Sequence, residues 1–290
     1  MTDAAGSSPG RGGAGRLVAL LIAAVVVVTA FAAVGVAWIS RLDATATRDR
    51  VVAQADAVPV LAASASPAPG ATRTDATPAP GADPGRDGGG EGGAGARLGA
   101  AAAAIRIDPA WLAGTAAATG VPPVALDAYA RATAVLATAE PGCHLGWNTL
   151  AGIGRAESAH GTIDGTSVAA DGTVTPRIVG PALDGGVYGA IADTDGGAWD
   201  GDDRWDRAIG PLQFLPSTWR ADGVDASGDG VADPQNLYDA SVAAARYLCA
   251  PGADLRGGAA WERAIRSYNP ADSYLDAVRG AATAYAAAAR

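Results

Sequence analysis

Between Leu17 and Ile39 the chain has no charged residue over about 23 positions. As a helix rising about 1.5 Å per residue, this run spans roughly 34 Å, enough to cross a hydrocarbon core of about 30 Å. It takes these residues out of any water-soluble core and divides the rest of the chain into two sides. Arg11 and Arg16 precede the run, which favours a cytoplasmic N-terminus over residues 1–16. Arg41, Arg48 and Arg50 follow it, partly offset by Asp43 and Asp49, so the asymmetry is weak. A cleaved leader has a shorter apolar part, about 7 to 15 residues, although "AFAAVG" and "LDATAT" contain small-residue sites. Residues 17–39 are therefore read as an uncleaved transmembrane anchor. With either fate, the bulk of the chain lies outside the cytoplasm.

Residues 40–104 are rich in Ala, Pro, Gly, Ser and Thr and show no apolar period, so they read as a disordered linker. Residues 105–290 read as one folded domain. Half of the chain is hydrophobic, yet it has only 2 Phe and 1 Met, so alanine carries much of the apolar fraction. The net charge is −9, and every basic residue is Arg. A basic footprint is missing, which excludes nucleic acid as a partner and gives no patch for anionic lipid.

The pattern over 105–290 is mainly helical. "DPAWLAGTAAATG" opens with an Asp-Pro start and stops at Gly120. "PPVALDAYARATAVLATA", "WNTLAGIGRAESAHG", "PLQFLPSTW", "LYDASVAAARYLC", "GAAWERAIRSYN" and "SYLDAVRGAATAYAAAA" continue it. Thr162 to Arg204 has much Gly and Asp and little period, with room for short strands around "TVTPRIV". The two cysteines, Cys143 and Cys249, both fall in this domain and read as one disulfide in an exported protein.

One carboxylate stands out. Glu157 follows Ile153 and Leu150 at helical spacing, which places an acid on the apolar stripe of a helix expected to end at Gly161. Desolvation there raises the pKa, as a general acid at neutral pH requires. "GIGRAESAHG" is followed in order by "DRAIGPLQFLPSTW", "GDGVADPQNLYDA" and "SYNPADSY". Over roughly Ile105 to Tyr285 this series resembles the lytic transglycosylases of the soluble-lytic-transglycosylase and membrane-bound transglycosylase B type.

The resemblance implies a lysozyme-like, mainly α single domain acting on peptidoglycan glycan strands. It implies that Glu157 serves as both acid and base, cleaving between N-acetylmuramic acid and N-acetylglucosamine to leave a 1,6-anhydro product. It also implies substrate contacts from Ser158, Gln213, Tyr268 and Asn269. Each has a plainer alternative: a serine bonding backbone, a buried structural amide, an aromatic in the core. A muramidase needs a second carboxylate across the cleft, for which Asp193, Asp195, Asp200, Asp202, Asp203 and Asp206 are the candidates. A glycan-binding module without turnover is the third reading.

No cofactor is required. "DASGDGVADPQN" sets Asp225, Ser227, Asp229, the Val231 carbonyl, Asp233 and Asn236 at positions 1, 3, 5, 7, 9 and 12 of a calcium-type loop. Asn236 replaces the bidentate Glu, so this is a weak structural calcium site or a turn held by Asx hydrogen bonds. His144 and His160 have no ligands at zinc spacing and read as structural or exposed.

Overall fold

Alanine makes slim helices that pack closely, and the architecture follows from that. The computed structural model describes residues 58–59, 91–186, 188–250 and 252–290, all within one unit spanning 51–290. Residues 1–16, expected to be cytoplasmic, and the apolar run 17–39 lie outside the described residues. Among the described residues no helix is long and apolar enough to cross a membrane.

The element order is α1 (Glu91–Ala104), α2 (Pro109–Thr119), α3 (Pro123–Ala139), α4 (Trp147–Ser158), a 3-10 turn (Ile163–Gly165), β1 (Ser167–Val168), β2 (Val174–Thr175), β3 (Val179–Ala182), β4 (Arg207–Ile209), α5 (Pro216–Asp222), α6 (Leu237–Leu248), α7 (Gly258–Tyr268) and α8 (Asp272–Ala288). The domain is mainly helical, as the sequence implies. Its few strands form two antiparallel pairs, β1 with β2 and β3 with β4. β2 and β3 fall in "TVTPRIV" and just beyond it, where short strands are expected.

Helix α1 is a correction. Residues 91–104 are read from composition as part of the 40–104 linker, yet they are helical. The sequence "AGARLGAAAAA" is low in complexity, but alanine is also the strongest helix former. Gly99 lets α1 lie against the loop at Asp225, since a Cβ there would overlap the Asp225 carbonyl oxygen. Ala102 is buried and Leu98 packs on the core. Val58 also packs there, and the Pro59 carbonyl accepts a 3.0 Å hydrogen bond from the Asp108 N–H.

The other helix ends obey local chemistry. Asp108 caps α2 by accepting from the N–H groups of Ala110 and Trp111, and Gly120 closes it at φ 73°. "PLQFLPSTW" departs from expectation, because α5 begins only at Pro216. Gly210–Gln213 is a turn closed by reciprocal backbone bonds between Ile209 and Phe214, of 2.8 and 2.9 Å.

The core is organised on α4, in which every residue from Trp147 to Gly154 is buried. Helix α8 makes its most extensive packing, while α3 pairs with α6 behind it. Even the polar groups of α4 are committed. Asn148 Nδ2 donates to the Ala282 carbonyl on α8 at 3.0 Å, and Thr149 Oγ1 accepts from Trp261 Nε1 on α7 at 3.0 Å. A buried amide or hydroxyl is tolerated only with such partners.

Cys143 and Cys249 form the disulfide, with Cα atoms 5.5 Å apart and a sequence separation of 106. It ties the turn entering α4 to the end of α6. Removing it with Cys143→Ser and Cys249→Ser should lower unfolding stability by about 2–5 kcal/mol, read as a reduced guanidinium midpoint.

Candidate active site

Helix α4 runs through the core and reaches the surface only at its C-terminal end, and Glu157 sits in that last turn, half-buried. The helix stops at Ser158, three residues before the expected end. Ala159, His160 and Gly161 follow with φ of 50°, 64° and 82°, three left-handed residues in succession. The His160 N–H returns to the Gly154 carbonyl six residues back at 2.8 Å, which satisfies one of the last carbonyls of the helix. Gly154 admits Tyr129 from α3, because a Cβ at that position would overlap the phenol oxygen.

The Glu157 carboxyl is pushed up to about 7, chiefly by desolvation. Opposing that rise is a 2.6 Å hydrogen bond from the Tyr274 hydroxyl to Glu157 Oε1. Tyr274 stands in the first turn of α8, stacked parallel on Tyr268 with centroids 6.5 Å apart. Tyr268, at the end of α7, donates to the Leu212 carbonyl at 2.7 Å. Burial and the Glu157 charge hold both phenols protonated. The arrangement leaves Oε2 as the oxygen for a transferable proton.

The expected substrate residues divide. Tyr268 lies in the electrostatic range of Glu157. Gln213 sits at φ 50° in the 210–213 turn, its Nε2 donating to the Gly210 carbonyl at 2.9 Å. Its Oε1 packs over Gly180 of β3, and no hydrogen bond among the described residues reaches it. Ser158 is buried instead. Its hydroxyl donates to the Pro211 carbonyl at 2.6 Å and accepts from the Gly161 N–H at 2.8 Å. It therefore fastens the end of α4 to the turn carrying Gln213, with both bonding directions used inside the protein. Asn269 caps α7, and its Oδ1 accepts from the Ala271 N–H at 3.1 Å. That Asx turn sets the angle between α7 and α8 and so brings Tyr268 and Tyr274 together.

The 225–236 loop turns its oxygens onto its own backbone. Asp225 accepts from Gly228 and Gly230, Asp229 from Val231, and Asp233 from Gln235. Asn236 caps α6 through the Tyr238 N–H and donates to the Asp171 carbonyl. Buried Asp239 takes the N–H groups of Ala226, Ser227 and Asp233. Burial pushes its carboxyl up to about 6 against the pull of those bonds.

The acidic run is similarly committed. Asp193 and Asp195 bind backbone N–H groups of their own turn, Asp202 pairs with Arg207 at 2.9 Å, and Asp206 is buried on Thr194. Asp193, Asp195 and Asp206 bring ligand atoms within 4.8 Å of one another. None of these carboxylates is among the groups that shift Glu157. His144 pairs with Asp254 at the surface, at 3.0 Å, while His160 is buried.

Tyr274 is the residue that sequence reasoning missed, although "SYNPADSY" contains it six positions after Tyr268. Residues 196–281 match the family model described as the transglycosylase SLT domain. That is less than a third of the chain, and it includes Gln213, Tyr268 and Tyr274 while Glu157 precedes it. The match supports a lytic transglycosylase or lysozyme-like family for this chain. No curated protein and no solved structure matches it.

Two predictions follow from the geometry. Glu157 has a raised pKa, so its contribution is fully present below about 4.5 and is lost as pH rises through about 7. Glu157→Gln should therefore melt progressively higher than wild type as pH climbs across that window, with no difference below it. Asp239→Ala strands three backbone donors and should cost about 2–3 kcal/mol in urea unfolding.

Proposed function

We propose that this chain is a peptidoglycan lytic transglycosylase, cleaving the β-1,4 bond between N-acetylmuramic acid and N-acetylglucosamine with formation of 1,6-anhydro-muramic acid. The observation that carries the reading is the state of Glu157. It is a carboxyl raised to about 7, held by one phenol, with no second carboxylate acting on it.

That environment suits a reaction run by a single acid. Glu157 gives its Oε2 proton to the bridging oxygen as the glycosidic bond breaks, and N-acetylglucosamine leaves with that proton. Positive charge develops at the muramic anomeric carbon beside the new carboxylate. The carboxylate then takes the proton of the muramic C6 hydroxyl, whose oxygen closes on the anomeric carbon. The acid is regenerated and no water is consumed. An intramolecular nucleophile supplies a large effective concentration, which removes the need for a positioned water. Tyr274 keeps Oε1 occupied throughout, so the same oxygen serves for both transfers.

Ordinary two-carboxylate hydrolysis places its acids about 5–9.5 Å apart. Asp193, Asp195, Asp200, Asp202 and Asp206 are instead turned onto their own loop and Arg207. We further propose that the domain faces the cell wall, held at the membrane by residues 17–39.

Mass spectrometry of products from purified peptidoglycan decides among the readings. Anhydro-muropeptides from wild type and none from Glu157→Gln are expected. Reducing ends would instead indicate a muramidase, and binding without product a glycan-recognition module. Tyr274→Phe should lower kcat about ten-fold and move the alkaline limb to higher pH, because the lost bond is the one that lowers the Glu157 pKa.

A further inference from the structure

Three residues beyond Glu157, the imidazole of His160 lies buried between two phenols. Its Nδ1 is 3.2 Å from the Tyr129 hydroxyl on α3, and its Nε2 is 3.0 Å from the Tyr285 hydroxyl on α8. A neutral imidazole donates from one nitrogen and accepts at the other, so it bridges the two hydroxyls in either tautomer. The residue's own backbone is left-handed, as is that of Ala159 before it. Such a conformation is unfavourable for a residue with a Cβ and persists where the surroundings over-determine it. Here the surroundings are the two phenols, whose ring centroids lie 5.9 and 6.0 Å from the imidazole.

Tyr285 and Tyr274 are both on α8. They are about three helical turns apart, so they project from the same side of that helix. One helix thus grips the end of α4 twice, at the Glu157 carboxyl through Tyr274 and at the turn behind it through Tyr285.

We propose that His160 is a positioning residue for Glu157: the Tyr129–His160–Tyr285 bridge locks the left-handed turn that ends α4 and thereby holds the carboxyl against Tyr274. The proposal rests on reading Glu157 as the acid.

The bridge carries a built-in sensitivity to acid. A protonated imidazole has two donors and no acceptor, so both phenols must accept from it, and the one that donated to it has to turn its hydroxyl away. Desolvation resists that charge, and so does the Arg155 guanidinium on α4, which hold His160 neutral down to about 4. Tyr129 and Tyr285 are the titratable groups facing it from α3 and α8, and Arg155 itself approaches the Tyr285 hydroxyl at 3.4 Å. Glu157 must only be protonated to begin the reaction, so it gives no limb on the acid side. The acid limb of the activity belongs to His160.

The test uses the full chain in detergent, with wild type, His160→Gln and Tyr285→Phe compared in two ways. The first follows the Glu157 carboxyl by carbon NMR against pH. Releasing the carboxyl from Tyr274 should move its midpoint up from about 7 by at least half a unit in both variants, in the direction expected for Tyr274→Phe, and an unchanged or lower midpoint overturns the proposal. The second follows anhydro-muropeptide release from pH 3 to 8. Both variants should lose about ten-fold in kcat with KM within two-fold, and His160→Gln should lose the acid limb near pH 4. A limb that persists in His160→Gln, or an altered KM with kcat intact, overturns it as well. If the NMR midpoint moves while wild type releases no anhydro product, the transglycosylase reading fails and the bridge stands.

Discussion

A helix buried along its length can present a charge only at an end, and the whole site follows from that restriction on α4. Trp147 to Gly154 fill the core, so the orientation of the last turn is set by what packs around the helix. Asn148 and Thr149 fix its rotation against α8 and α7. Ser158 fastens its end to Pro211, and that bond makes the 210–213 turn part of the same rigid body. Glu157 is thereby half-buried without becoming a core residue, which is the condition for a carboxyl that holds its proton near neutrality and can still give it away.

The aromatic set around the acid is continuous. Phe214 meets Tyr268 edge-on, Tyr247 does the same from α6, and Tyr268 stacks on Tyr274. Such contacts fix ring planes as well as distances. The Tyr274 hydroxyl therefore points at Glu157 because of ring packing that begins at Phe214 and Tyr247. The loops on either side are held by carboxylates bonding backbone N–H groups, which lets an acidic chain build ordered turns without regular secondary structure.

Much of this was legible in the chain. Leu150, Ile153 and Glu157 share a stripe because helical spacing is a local property, and the Asp-Pro start and Gly120 stop of α2 are equally local. The cysteine pair was legible because two thiols in one domain leave a single pairing. What the chain does not show has a common cause. The backbone partner of Ser158 is a carbonyl 53 residues away. The partner of Tyr274 lies 117 residues away. The composition of residues 91–104 records alanine and glycine without recording that Gly99 fits against Asp225. Pro211 suits a helix start and a turn equally, and the bonds that close the 210–213 turn decide it. Each depends on a contact between distant segments, and no period in the sequence encodes it.

The bond between Pro59 and Asp108 changes where the folded body has to be cut. Val58 packs on the core and the Pro59 carbonyl takes the Asp108 N–H at the start of α2. A domain trimmed to begin at α1 loses that backbone acceptor and that apolar contact together. The N-cap of α2 therefore depends on residues far ahead of it in the chain, and the smallest body that keeps both contacts includes Val58 and Pro59.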